Sequence, residues 1–135
     1  MKSLHIIGSK TMGGAERWFT RFLTALAEQG EGVNAVVRRD SELAHHHLDG
    51  IPTAELPLRT VWDPLSRHEV RREVRRVDAP LVQTYMGRAT RLTHLGRHSG
   101  RVHLARLGGY YKLDGYRHAD VYVVILPDLA FVGHV

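Results

Sequence analysis

Six short apolar runs, separated by stretches of helical period, constrain the fold of this 135-residue chain more than any other feature of its sequence. The runs are Lys2–Ile7, Val33–Val37, Thr53–Leu56, Leu81–Tyr85, Val102–Leu107 and Val121–Leu126. Between the first two, Ala15, Trp18, Phe19, Phe22, Leu23, Leu26 and Ala27 recur at steps of three and four, and Gly30 follows as a stop. That spacing places one apolar stripe on a helix over Gly14–Gln29. Further helices are predicted over Ser41–Leu48, with Ser41 as N-cap, and over Pro64–Val77, Gly87–His98 and Tyr110–His118. Pro52 and Pro57 fence the third run, which sets it near a sheet edge. Strands alternating with helices through short loops predict a parallel sheet covered on both faces, a three-layer Rossmann-like α/β/α fold of about six strands. In such a sheet, ligands bind beyond the carboxyl ends of the strands. The length suits one domain, and no repeat or linker interrupts the pattern.

The loop after the first run, in "LHIIGSKTMGGAERWF", has the setting of a phosphate loop: a strand end, glycines, then a helix start. Gly8 and Gly13 have the spacing of a P-loop, but Gly14 and Ala15 stand where Lys and Ser/Thr belong. Without them there is no fixed cation for the terminal phosphates and no Mg²⁺ ligand. The dinucleotide fingerprint fails as well, because its glycines lie two and then three residues apart. What survives is a helix start whose first amides lack intrahelical partners and whose dipole favours an anion. A tight chain reversal would use the same glycines.

Composition narrows the chemistry. The chain has no cysteine, which excludes disulfides, zinc–thiolate sites and a catalytic thiol, and fits a reducing cytoplasm. The N-terminus lacks the apolar stretch and cleavage site of a signal peptide, and no run approaches a membrane span, so the expectation is a soluble protein. Sixteen Arg among nineteen basic residues, at a net charge of +5, favour anionic partners; an Arg-biased codon composition is the plain alternative.

Taken together, these segments resemble the N-terminal domain of GT-B glycosyltransferases of the family 4 (group 1) type. Gly13-Gly14-Ala15-Glu16-Arg17 matches that family's G-G-A-E-[RK] loop. "LAEQGEGVNAVV" is similar to its L-A-x-x-G-H-x-V segment, with Glu31-Gly32 replacing the usual turn, and "GIPTAELPL" to its third strand. "PLVQTYMGRATRLTHL" and "VHLARLGGYYKLDGYRHAD" resemble its fourth- and fifth-strand regions, so the resemblance covers about residues 1–122. It implies retaining transfer of a sugar from a nucleotide-sugar to a glycan or lipid-linked acceptor, with no resident cofactor or metal. The N-terminal domain would shape the acceptor side of a cleft, and a C-terminal domain would hold most of the donor. Gly13 and Gly14 would approach the diphosphate or acceptor through backbone amides. Glu16 would sit against the helix dipole, in a structural role or as a ligand contact.

Two departures stand out. Arg106 occupies about the position of a family His that contacts the transferred sugar; Arg cannot act as a base, but it can clamp phosphate. No catalytic residue is assigned, and neither His103 nor His118 inherits that role. The chain closes with "VVILPDLAFVGHV", unlike the family's continuation, so residues 123–135 read as an atypical apolar tail. The expectation is a fragment, or a reading frame shifted near Val123–Leu126, inactive by itself. The alternative is a stand-alone Rossmann-like anion-binding module.

Other residues are candidate sites. Tyr85, Arg88 and Arg91 follow a strand end and are candidates for an anionic acceptor or diphosphate; the plain alternative is surface charge. His45-His46-His47 reads as a solvated helix face. His94 and His98, four apart on the predicted helix, have a spacing that can hold zinc, but the Glu of a His-Glu-x-x-His motif is missing. "RHEVRREVRR" (67–76) is a basic helix suited to an anionic membrane surface at the inner face, or to plain solvation through Glu69 and Glu73. Trp18, Phe19 and Phe22 fall on the apolar stripe, so no nucleic-acid stacking platform is expected.

Overall fold

The elements run β1 (Lys2–Ile7), α1 (Gly14–Glu28), β2 (Gly32–Arg38), α2 (Glu42–His45), β3 (Thr53–Leu56), α3 (Pro64–Val77), β4 (Leu81–Tyr85), α4 (Met86–Leu92), β5 (Val102–Leu107), β6 (Val121–Leu126) and β7 (Leu129–His134). They come from a computed structural model that describes residues 1–45, 48–96, 98–107, 116–126 and 129–134. The seven strands form one sheet in the order β3-β2-β1-β4-β5-β6-β7. The first six pair in parallel, and β7 runs antiparallel to β6. Strand order reverses between β1 and β4, opening a crevice at their carboxyl ends.

The side-chain period of two divides the core cleanly. Leu4 and Ile6 of β1, Val36 of β2 and Val82 of β4 face α3 and α4, where they pack with Val70, Val74, Val77 and Leu92. Ile7, Val33, Ala35, Val37 and Tyr85 face the other way, against Phe19 and Leu23 of α1 and Leu43 of α2. Burying an aliphatic or aromatic side chain contributes roughly 1.5–3 kcal/mol, more than the propensity differences among ordinary helix residues. The stripe therefore decides where α1 sits.

Helix ends follow local chemistry. Asp63 caps α3, its Oδ1 accepting from the Leu65 N–H at 3.1 Å and its Oδ2 from the Ser66 hydroxyl at 2.8 Å, with Pro64 next in the chain. Ser41 caps α2 through the Ala44 N–H. α4 ends at Leu92 rather than at His98, because Thr93 is already extended and Gly96 takes a positive φ of 81°. The hydroxyls of Thr90 and Thr93 bond back to the carbonyls of Met86 and Ala89, a habit that weakens a helix. His94 and His98 therefore do not share a helix face. Of the predicted helix over Tyr110–His118, residues 110–115 lie outside the described residues, and 116–118 form a turn.

Within the segment 123–135, expected from sequence to be a tail, the structure has the end of β6 and the edge strand β7. Gly133 pairs directly with Tyr122, whose ring fills the space a Cβ would need, 2.5 Å from that position. No helix among the described residues is long and apolar enough to cross a membrane.

Candidate functional site

At the rim formed by the strand carboxyl ends, the loop after β1 donates two of its amides to carboxylates of α1 and α2. The Gly13 N–H donates to Glu16 Oε2 at 2.9 Å, and the Met12 N–H to Glu42 Oε2 at 2.8 Å. Glu16 is buried at the first turn of α1, where its charge suits the helix dipole. Two of the amides that a phosphate would use are thus already engaged. Gly14, by contrast, is exposed, with open space where a Cβ would stand.

Beneath that helix start lies Arg106, the fifth residue of β5. Its side chain shares a sheet face with Tyr85, its partner in the β4–β5 register, and turns toward α1. The residue is only 7% exposed, and its guanidinium lies 4.2 Å from the centre of the Trp18 ring. Nε and Nη1 of Arg106 are buried without a hydrogen-bond partner among the described residues. Burial lowers its pKa, an effect partly offset by Tyr85, yet an arginine so placed stays charged. A desolvated cation with unused donors is costly to keep and matches the geometry of an oxyanion.

Tyr85 supports this arrangement from below. Its ring is fully buried, edge-on to Phe19 at 4.8 Å and tilted against Trp18 at 5.9 Å. Its hydroxyl is held 2.9 Å from His5 Nδ1, and His5 Nε2 lies 2.9 Å from Ser3 Oγ. Burial pushes the Tyr85 phenol up and brings the His5 imidazole down to about 4. The Tyr85 side chain therefore positions its neighbours and does not face solvent.

Arg88 and Arg91, both on α4, are separated by the structure. The stem of Arg88 packs against Gly8, and its Nη1 donates to the carbonyls of Leu58, at 3.1 Å, and Arg59. Arg88 thus joins the crevice between β1 and β4, where Lys10 and Arg38 also line a cavity of about 210 Å³. Arg91 lies apart, its guanidinium 5.3 Å from the centre of the Tyr116 ring and its Nε buried without a partner.

Lys10 and Arg38 are not singled out by any sequence motif, although the position of Arg38 as the last residue of β2 could have marked it. On the far face, His94 stacks on His118 at 4.0 Å, and His103 is 5.6 Å from His118. Burial, with His118 and His94 adding to it, lowers the His103 pKa to about 3. The described residues include no group of three or more ligand-type side chains suited to a metal. Of the His45-His46-His47 run, 46 and 47 lie outside the described residues; His45 is exposed at the end of α2.

No protein-family model matches the chain. Over 96% of its length it is 30% identical to the lipopolysaccharide core biosynthesis glycosyltransferase LpsD of Rhizobium meliloti (strain 1021). Its fold is similar to the crystal structure of MurG from Acinetobacter baumannii, with a TM-score of 0.68 over 95% of the chain at 15% identity. The chain spans about two fifths of either relative, 38% of LpsD and 42% of the MurG chain.

Proposed function

We propose that this chain, an N-terminal GT-B glycosyltransferase-like domain by sequence and fold, forms the acceptor-side half of a two-domain enzyme using a nucleotide-sugar. The family resemblance carried by Gly13–Arg17 and the segments after it agrees with both relatives. The observation that carries the finer reading is Arg106. A buried, charged guanidinium with two donor nitrogens unused among the described residues sits beside Trp18, one turn into α1, at the strand ends where ligands bind in such sheets.

In the transfer, the bond between the sugar's anomeric carbon and the diphosphate oxygen breaks as the acceptor hydroxyl oxygen bonds to that carbon, its proton passing to the released diphosphate. Negative charge grows on the departing nucleoside diphosphate. Arg106 and the free first-turn amides after Gly13 would meet that charge, an electrostatic role that needs no proton transfer at Arg106. Glu16 and Tyr85 would hold the loop and the ring stack in place. The nucleotide-sugar is the co-substrate in this reading, and no resident cofactor, metal or nucleic acid takes part.

The acceptor we favour is a lipid-linked or cell-envelope glycan, and the role named for LpsD supports it. Trp62, 81% exposed, and Leu65, 61% exposed, stand where α3 begins at the same rim. Arg67, Arg71, Arg72 and Arg75 line the exposed side of that helix. Apolar side chains beside arginines suit an anionic membrane surface, the inner face in this reading.

A purified-protein assay with UDP-, GDP- and ADP-sugars tests the proposal. The expected result is Arg106-dependent diphosphate binding without turnover, because these residues build one sheet of the two such a cleft needs. Robust transfer by the 135 residues alone would overturn the half-enzyme reading. A Trp18 fluorescence response to nucleoside diphosphate that does not depend on Arg106 would overturn the substrate assignment.

A further inference from the structure

We infer that the crevice between β1, β2 and β4 is a second anion site, in which Lys10, Arg38 and Arg88 receive a phosphate ester carried by the acceptor. The cations of this site are distinct from Arg106, although Tyr85, the register partner of Arg106, also lines the cavity. Arg106 faces α1, whereas these three cations come from the loop after β1, the end of β2 and the start of α4. Calling the anion part of the acceptor rests on the glycosyltransferase reading; the site itself does not.

Four observations carry the inference. The strand order reverses here, which is where doubly wound sheets bind ligands. The three cations have no ion-pair partner among the described residues, whose ion pairs are Met1–Glu31, Glu73–Arg76 and Asp78–Arg101. The nearby acid, Glu42, is turned to the Met12 N–H. Arg38 also lies close enough to Arg88 that its charge, after burial, lowers the Arg88 pKa, so two like charges converge without a counter-ion.

The arrangement is built as well as charged. Arg88 is anchored by its stem on Gly8 and by Nη1 on the Leu58 and Arg59 carbonyls. Met86, at the wall of the cavity, is held at φ 68°, a left-handed conformation that is unfavourable for a residue with a Cβ. Size then selects the ligand. A cavity of about 210 Å³ is below the roughly 300–1,000 Å³ of pockets that enclose whole drug-sized ligands. It has room for a phosphate group with part of one sugar or linker.

The test is an amide NMR titration of the 135-residue chain with glucose 6-phosphate, dimethylallyl diphosphate and glucose. The first two carry the anion on a sugar and on a lipid-type linker, and glucose carries none. The expected outcome is a saturable shift of the amides of Gly8–Lys10 and Arg38 with one or both anions and none with glucose. The tighter anion identifies the source. Arg38→Gln and Lys10→Gln, away from the carbonyl anchors of Arg88, are each expected to weaken binding at least about tenfold, as loss of a charge-assisted contact does. Equal shifts with glucose, shifts confined to the α3 arginines, or unchanged affinity in both variants would overturn the site. Because the titration reads binding alone, Arg38-dependent binding alongside a failed Arg106 assignment would sink the transferase reading and leave this site standing.

Discussion

The guanidinium of Arg106 lies 4.2 Å from the centre of the Trp18 ring, joining the end of β5 to the second turn of α1. The stacking recovers part of what burial of the charge costs, since a desolvated cation–π contact is worth on the order of 1–2 kcal/mol. It does nothing for the unpartnered Nε and Nη1.

Replacing Arg106 by Met, which keeps the length and removes the orphaned donors, is therefore expected to stabilise the chain by about 1 kcal/mol in urea unfolding. The same change should abolish the diphosphate binding that the neighbouring Trp18 ring reports, while leaving binding at Lys10 and Arg38 intact. A residue kept for packing alone would show the opposite, a loss of stability with binding untouched.

Glu16 makes a second trade. Its carboxylate holds the Gly13 N–H and complements the helix dipole. Glu16→Gln is expected to destabilise by about 0.5–1 kcal/mol while tightening pyrophosphate binding, because a negative charge leaves the loop. Calorimetry of both quantities checks the opposed signs; weaker binding would place Glu16 among the groups that contact ligand favourably.

The two buried histidines give a pH dependence of definite sign. Burial lowers His5 to about 4 and His103 to about 3, from an ordinary value of 6.5. Between pH 6.5 and 4 the unfolded chain binds protons that the folded chain does not. Stability is then full above about pH 6.5 and falls as pH drops toward 4, with a slope approaching about 1.4 kcal/mol per pH unit per histidine. Urea midpoints at about pH 7.5, 6 and 5 should reveal this, with a shallower slope in His5→Gln. A flat profile would mean that the Ser3–His5–Tyr85 chain is open to water.

Trp62 and Leu65 are expected to set membrane association. Co-sedimentation with vesicles containing anionic lipid should exceed that with neutral vesicles, fall with salt, and drop several-fold in Trp62→Ser with Leu65→Ser. Equal retention by both vesicle types would remove the inner-face assignment.

The layers of the fold are written in local sequence, but the site is written across distance. Leu4 and Ile6 against Ile7 in β1, and Val36 against Ala35 and Val37 in β2, fall on opposite faces by alternation alone. The extent of α4 was not legible, because Thr93 and Gly96 end a pattern whose apolar spacing continues. β7 was missed because the family pattern has another element there, although Pro127-Asp128 is a turn signal between two apolar runs. Arg106 was legible as a residue at a strand end; its burial depends on Trp18, supplied by α1 from the other end of the chain. Arg38 and Arg88 meet only because β2, β1 and β4 are successive neighbours in the sheet.

Trp18 also reports directly on ligand binding at Arg106. The chain has two tryptophans, and Trp62 is exposed, so Trp62→Phe leaves Trp18 as the reporter beside Arg106. Titration with inorganic pyrophosphate and with UDP should change its fluorescence saturably, and Arg106→Gln should abolish the response. No response, or the same response in Arg106→Gln, would contradict the assignment of this rim as the substrate side of a glycosyltransferase.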